Sequence, residues 1–312
     1  MRGVHRHLLH HRQSGGRHDQ RTARPSHCGG SRVMGSFATL KRICSERDGR
    51  LGLVFTLVIL IFAIVGPLVS PDPNLIDVKA RFAPPGAAHL LGTDNLGRDL
   101  VARTSAGTRY ALALAAMIVV ISSVVGSLIG VVAAVAGPRI DRVITGVFDI
   151  VNAFPPLILA FALIALYGKG PITFVLLVTV VFIPQFGRMA RARAQSLRSL
   201  SFIEAERMLA VHPATIVARH YLPNVAGPII VLASMNLPVV IAFEASLSFL
   251  GFGVQPPKSS LGTLIKDGFV SINQSWWPII AASLVLAIAT LGATLLGEAL
   301  RRVIDPKTTG AR

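Results

Sequence analysis

Six apolar segments, most of them long enough to cross a lipid bilayer, restrict what this chain can fold into. They run approximately over residues 51–70, 110–136, 143–167, 171–186, 225–250 and 276–300, the fourth being the shortest. A helix needs about 20 predominantly apolar residues to span a hydrocarbon core. Inside lipid, each backbone N–H and C=O must be paired within its own segment, which favours helices. The expectation is an all-α membrane protein with six transmembrane helices. Composition agrees: 52% of residues are hydrophobic and 15% are charged, more apolar than soluble domains usually are.

The formal net charge of +16 does not point to nucleic acid. Aromatic residues make up 6%, and no basic helix is interleaved with stacking rings. The charge instead collects between the apolar segments. Of 31 Lys and Arg residues, 23 fall in residues 1–50, 137–142, 187–223 and 301–312, and 8 in residues 71–110, 168–170 and 251–275. Basic residues are retained on the cytoplasmic side. Both termini and residues 201–223 are therefore expected in the cytoplasm, and Trp276-Trp277 at the outer interface.

Residues 1–36 form a basic tail rich in Arg, His, Gly and Ser, and six of the nine histidines lie there. Such a composition buries no core, so disorder is expected. The histidine spacings match no regular metal site, and no apolar stretch with a cleavage site marks a secretory signal. Met34 is an alternative start, just ahead of a short basic lead-in to the first span. Cys28 and Cys44 precede that span and imply no disulfide.

Between the fourth and fifth spans lies a polar, basic, proline-bracketed stretch, Ser201 to Asn224. Ser201 and Glu204 have capping-box spacing, predicting a helix from Phe202 to about Val211 or His212. Pro213 then opens a second short helix that Leu222-Pro223 would end at about Tyr221. Phe202, Ala205, Met208 and Leu209 form an apolar stripe at helical spacing. The stripe suits either a solvated loop or a helix docking in a partner's groove.

Residues 91–100, Leu-Gly-Thr-Asp-Asn-Leu-Gly-Arg-Asp-Leu, alternate acids and bases beside glycines. Gly92, Thr93, Asp94, Gly97, Arg98 and Asp99 predict a tight turn, then an amphipathic helix on the outer surface, with charge pairing as the simpler role. Prolines cluster within the spans at Pro155-Pro156, Pro184, Pro228 and Pro238. Broken backbone at membrane depth is tolerated where helices or a wet cavity satisfy the freed groups. Few polar groups lie in the spans: Asp149, Asn152, Asn236, Glu244 and, at the sixth segment's end, Glu298. Asp149 and Glu244 either line a path or are paired structural groups, as are Asn152 and Asn236.

Three motifs carry a family resemblance. Glu204-Ala205, then Ala210, then Leu222-Pro223 resembles the EAA loop of bacterial ATP-binding-cassette importer permeases, with Glu206 where the family has alanine and Ala210 where it has glycine. Residues 92–99 resemble the G-T-D-x-x-G-R-D motif of the dipeptide, oligopeptide and nickel permeases, C-type subunit. Residues 244–257 resemble that family's E-A-S-L-S-F-L-G-x-G-x-Q-P-P stretch. The resemblance covers about residues 51–307. It implies a MetI-like, type I importer permease of the bacterial inner membrane that carries no cofactor or metal of its own. It also implies partners: a homologous B-type permease, two cytoplasmic ABC ATPases and an extracytoplasmic substrate-binding protein. ATPase coupling would fall to Phe202, Glu204, Ala205, Glu206, Met208, Leu209, Ala210, Leu222 and Pro223. The cargo would be di- or oligopeptides, or nickel or another small solute.

The residues themselves exclude catalysis by a familiar route. There is no G-x-x-x-x-G-K-[ST] and no H-E-x-x-H, so an ATP-driven role needs partner chains. A secondary transporter would have only Asp149 and Glu244 for ion coupling and would not need the proline-bracketed helix pair, while a non-transporting scaffold is disfavoured by the family resemblance alone.

Overall fold

Proline and glycine set most of the helix ends. The computed structural model describes residues 42–304; the basic tail, its histidines, Cys28 and Met34 lie outside them. Helix α1 runs over Arg47–Val69, α2 over Leu100–Val135, α3 over Pro138–Ala153, α4 over Pro156–Tyr167 and α5 over Pro171–Arg198. Then come α6 (Ser201–Met208), α7 (Pro213–Ile216), a π-helical turn (Val217–Tyr221), α8 (Leu222–Phe249), α9 (Leu261–Val270) and α10 (Trp277–Ile304). Proline occupies the first turn of α3, α4, α5 and α7, where a missing N–H costs nothing. Among the described residues there is no sheet, only an isolated antiparallel bridge between Thr93 and Asp99.

Five helical stretches are long and apolar enough to cross a membrane: α1, α2, α5, the continuous run Pro213–Phe249, and α10. The segment expected as one span over 143–167 holds two helices, α3 and α4, bent by 94°, and counts as a sixth span where the bent pair is taken as one. Pro155 disfavours helical geometry in the residue before it, and Phe154 is accordingly extended at ψ 135°.

Two expectations are corrected. No separate surface helix follows the 91–100 turn. Helix α2 starts at Leu100 and continues to Val135, because Asp99 caps it by accepting from the Ala102 N–H at 2.9 Å. Its 36 residues reach about 54 Å, well beyond a hydrocarbon core of about 30 Å. The surplus turns, with Arg103, Thr104 and Thr108, are buried in protein. Nor does Leu222-Pro223 end a helix. The π turn lets the Leu222 N–H reach the Val217 carbonyl, and that extra residue absorbs the turn that Pro223 would otherwise break.

The core joins α2, α5 and α8 through buried Ile118, Val178, Phe186, Ile241 and Leu247. Small residues permit the close approach. A Cβ at Gly130 of α2 would stand 2.1 Å from the Gly187 carbonyl oxygen of α5, and one at Gly187 would strike the Phe148 ring of α3. Likewise Gly52 of α1 lies against Leu295 and Leu296 of α10. We expect Gly130→Ala to force α2 and α5 apart at about 1–3 kcal/mol, lowering the thermal aggregation midpoint in detergent. Gly146→Ala, with nothing within 4 Å of the added methyl, should leave the midpoint unchanged.

Packing assigns the polar stretches to two faces. Ser105 meets Gly66, and Gly107 meets Ser260, so residues 66–107 and 250–270 share a loop-rich face. On the opposite, basic face, Arg302 pairs with Asp48 and Glu46, Arg191 with Asp141, and α6 follows the end of α5 across Ser199-Leu200.

Candidate functional site

The basic face carries the Ser201–Asn224 element. Helix α6 lacks the expected capping box: Leu200 is its N-cap, with no side-chain cap bond. The Ile203 and Glu204 N–H groups bond the Leu200 carbonyl instead. The helix also stops earlier than Val211, at Met208. It closes with a Schellman arrangement: the Val211 N–H donates to the Glu206 carbonyl at 3.1 Å and the Ala210 N–H to the Arg207 carbonyl at 3.1 Å. Ala210 therefore sits at the left-handed C′ position with φ 54°. That conformation explains why a glycine belongs there, since a Cβ costs about 1 kcal/mol or more in it. Ala210→Gly should raise stability by about 1 kcal/mol, seen as a higher thermal midpoint; an unchanged or lower midpoint would show that position 210 is unstrained.

One side of α6 is anchored. Ile203 is fully buried in the core that holds Ile216 and Tyr221. Arg207 Nη2 donates to the Tyr221 hydroxyl at 3.3 Å, and the Phe202 ring lies 5.5 Å from that of His220. Glu206 turns toward the π segment, where its Oε1 is hydrogen-bonded to His220 Nε2 at 2.8 Å. Its carboxylate thus has a hydrogen-bond partner inside the element. The other side is free: Met208 is 89% and Leu209 77% exposed, and Phe202, Glu204 and Ala205 are exposed beside them. Leu222 is half-buried and Pro223 exposed at the first turn of α8. The apolar stripe hid the anchors: Ile203 lies off it, and Tyr221 comes from across the bend. Their only sequence signal was apolar character within a polar stretch.

On the loop-rich face, residues 92–99 form a knot around one carboxylate. Gly92 and Gly97 both take φ 76°, and a Cβ at Gly97 would overlap the Asp77 carbonyl. Asp94, 4% exposed, accepts from the Leu96 and Arg98 N–H groups at 2.8 and 3.0 Å and from Arg98 Nε at 2.7 Å. Arg103 Nε, from the first turn of α2, lies 3.4 Å from the same carboxylate. The Thr93 hydroxyl donates to the Ala80 carbonyl and accepts from the Ala83 N–H. Asp99 caps α2 and meets His89 Nδ1 at 2.9 Å. Arg103 stands outside the 92–99 motif, just past its last member Asp99.

The intramembrane polar residues separate into two kinds. Asp149 and Asn152 are exposed on α3, and Asp149 is paired with Arg188 at 2.7 Å. Asn236 and Glu244 are buried in α8. Asn236 Nδ2 donates to the Leu232 carbonyl at 2.8 Å. Glu244 Oε1 accepts from Ser248 Oγ at 2.6 Å, while its Oε2 has no partner among the described residues. The structure does not bring Asp149 and Glu244 together.

Residues 126–310 match the family model described as a binding-protein-dependent transport system inner membrane component. The chain is 34% identical over 267 residues to the di/tripeptide transport system permease protein DppC of Pseudomonas aeruginosa, covering 83% of this chain and 88% of that one. It is 35% identical over 251 residues to the oligopeptide transport system permease protein OppC of Mycobacterium bovis, covering 79% and 85%. Its fold is similar to a chain of the MetNI methionine ABC transporter in an inward-facing conformation, with TM-score 0.51 and 20% identity over 64% of this chain and 94% of that one. A multi-pass helical bundle with one bent helix pair thus meets the sequence match, and the chain belongs to the family of binding-protein-dependent transport system inner membrane components, as a permease subunit with the fold of an ABC importer's membrane domain.

Proposed function

We propose that this permease forms half of a translocation path for di- and oligopeptides, and that α6 couples the path to partner ATPases. One observation carries the coupling reading. Met208 and Leu209 stand in solvent at the tip of a helix whose other side is locked to the core by Ile203. An anchored helix with a bare apolar tip has the form of a helix-in-groove ligand. The groove would belong to a cytoplasmic ABC ATPase, one of two, because this sequence contains no P-loop. The excess of Lys and Arg on the pieces flanking this face supports a cytoplasmic location for it and for both termini.

The mechanism follows from how the element is built. ATP binding would draw the two ATPases together and drag α6. Ile203, Tyr221 and the Glu206–His220 bond would pass that movement into α8. The π turn and the prolines at 223, 228 and 238 are the points where α8 can bend. The exposed Asp149 and Asn152 remain available to the path or to the homologous B-type permease, while Asn236 and Glu244 serve as structural groups. Substrate would arrive from an extracytoplasmic binding protein at the loop-rich face. The peptide assignment rests on the relatives at 34% and 35% identity.

The test is to purify the chain from gently solubilised native bacterial membranes and identify what accompanies it. Co-purification of a second permease and P-loop ATPases is expected, with loss of the ATPases in a Leu209→Asp variant. A chain recovered alone in several detergents would overturn the importer reading.

A further inference from the structure

A cavity of about 460 Å³ opens on the loop-rich face, walled by the 92–103 knot, the α4–α5 turn, residues 248–258 and α9. Its volume lies in the range of small-molecule sites. Five of its wall residues are basic and one is acidic: Arg98, Arg103, Lys169, Lys258 and Lys266 against Asp267. Arg98 is already occupied with Asp94. Arg103 differs. It is 3% exposed and forms part of the wall; its Nε and Nη1 are enclosed without a hydrogen-bond partner among the described residues, which leaves Nη2 as the nitrogen that can face the cavity. Among the described residues its charge is supported by Asp94, whose carboxylate lies 3.4 Å from Nε, and more weakly by Asp267. A buried guanidinium is costly unless something accepts from it, and a charge-assisted bond from Nη2 suits a carboxylate.

The surroundings indicate what kind of anion. The three lysines are exposed at the rim, where they attract an anion arriving from solution. Ser248, Gln255 and Thr263 add neutral polar groups to the wall. Burial holds the Asp267 carboxyl above its ordinary range, with Arg103 and Arg98 pulling against it. The wall is built from loops and helix ends, which suits a small solute entering from the aqueous side. We infer that this cavity receives the C-terminal carboxylate of the cargo, with Arg103 Nη2 as its charge-assisted partner and Lys258 and Lys266 as the rim that guides it in. The inference rests on the peptide reading above.

The test uses the full chain in phosphatidylcholine nanodiscs, with dialanine and its C-terminal amide as probes and calorimetry as the readout. Dialanine should bind about tenfold or more tightly than the amide, the loss expected for one charge-assisted pair. Arg103→Met should abolish the preference. Because that variant removes a buried group, two substitutions of less buried residues back it up. Lys266→Met should weaken dialanine about threefold, and Asp267→Asn should strengthen it by a similar factor. Equal binding of acid and amide, or no response to both of these substitutions, overturns the site. Short-chain phosphatidylglycerol that binds through Arg103 where dialanine does not would make the cavity a lipid headgroup site and overturn it also. The two readings fail separately. Arg103-dependent binding of N-acetylalanine, with no peptide import by the assembled transporter, would remove the peptide reading and uphold the carboxylate site. Import of dialanine and its amide at equal rates, with no binding difference, would remove the site alone.

Discussion

Leu209→Asp should abolish ATP-driven uptake while leaving the protein inserted and folded. Leu209 is 77% exposed, and its neighbour Met208 is 89% exposed, so neither side chain supports the fold. A surface substitution of this kind changes stability by about 0.5 kcal/mol or less. In a docked complex the same side chain would be buried, and truncating a central apolar anchor typically costs about 2 kcal/mol or more, about thirtyfold in affinity. Aspartate adds the cost of desolvating a charge. Proteoliposome uptake should therefore fall more than tenfold, with Leu209→Ala in between. Ile203→Asp is the contrasting control, because Ile203 is fully buried and its loss should lower the yield of folded protein. Normal uptake in Leu209→Asp, with normal insertion, would refute the coupling role of α6.

Asp94→Ala should be the most destabilising single change on the loop-rich face. One buried carboxylate accepts from two backbone N–H groups and Arg98, and lies 3.4 Å from Arg103. Removing it strands two cations and two donors. Breaking a buried pair from one side costs about 3–5 kcal/mol, a large part of a typical stability of about 5–15 kcal/mol. The folded yield after mild detergent extraction should drop sharply. Asp94→Asn keeps an acceptor for the backbone donors and should fall between wild type and Asp94→Ala. Wild-type yield and thermal midpoint in Asp94→Ala would mean that the knot does not hold the start of α2.

Much of the architecture was legible because the bilayer and the helix have fixed dimensions. Long apolar runs can only become helices there, and that holds whatever the neighbours are. The failures were local and share a cause. Ser201 and Glu204 have capping-box spacing, yet Leu200 supplies the carbonyl and no side chain caps, because Ile203 must face the core and sets the entry angle of α6. Leu222-Pro223 looked like a stop, yet a π turn carries the helix through. The run over 143–167 carries its break in the sequence as Pro155-Pro156, but neither hydropathy nor the prolines give the 94° of the bend.

The functional surfaces divide in the same way. The sequence by itself determined the helical class, the basic face, the exposed apolar stripe of α6 and the glycine-acid-base pattern at 92–99, since each follows from residue type and spacing. Only the tertiary structure decided that Ala210 carries a left-handed turn, that Glu206 is met by His220, and that Arg103 comes beneath the loop with donors unused. Those outcomes depend on which helices approach closely enough to share a site. That approach is governed by small residues such as Gly130 and Gly187 meeting across the bundle, from stretches of sequence that carry no local sign of one another.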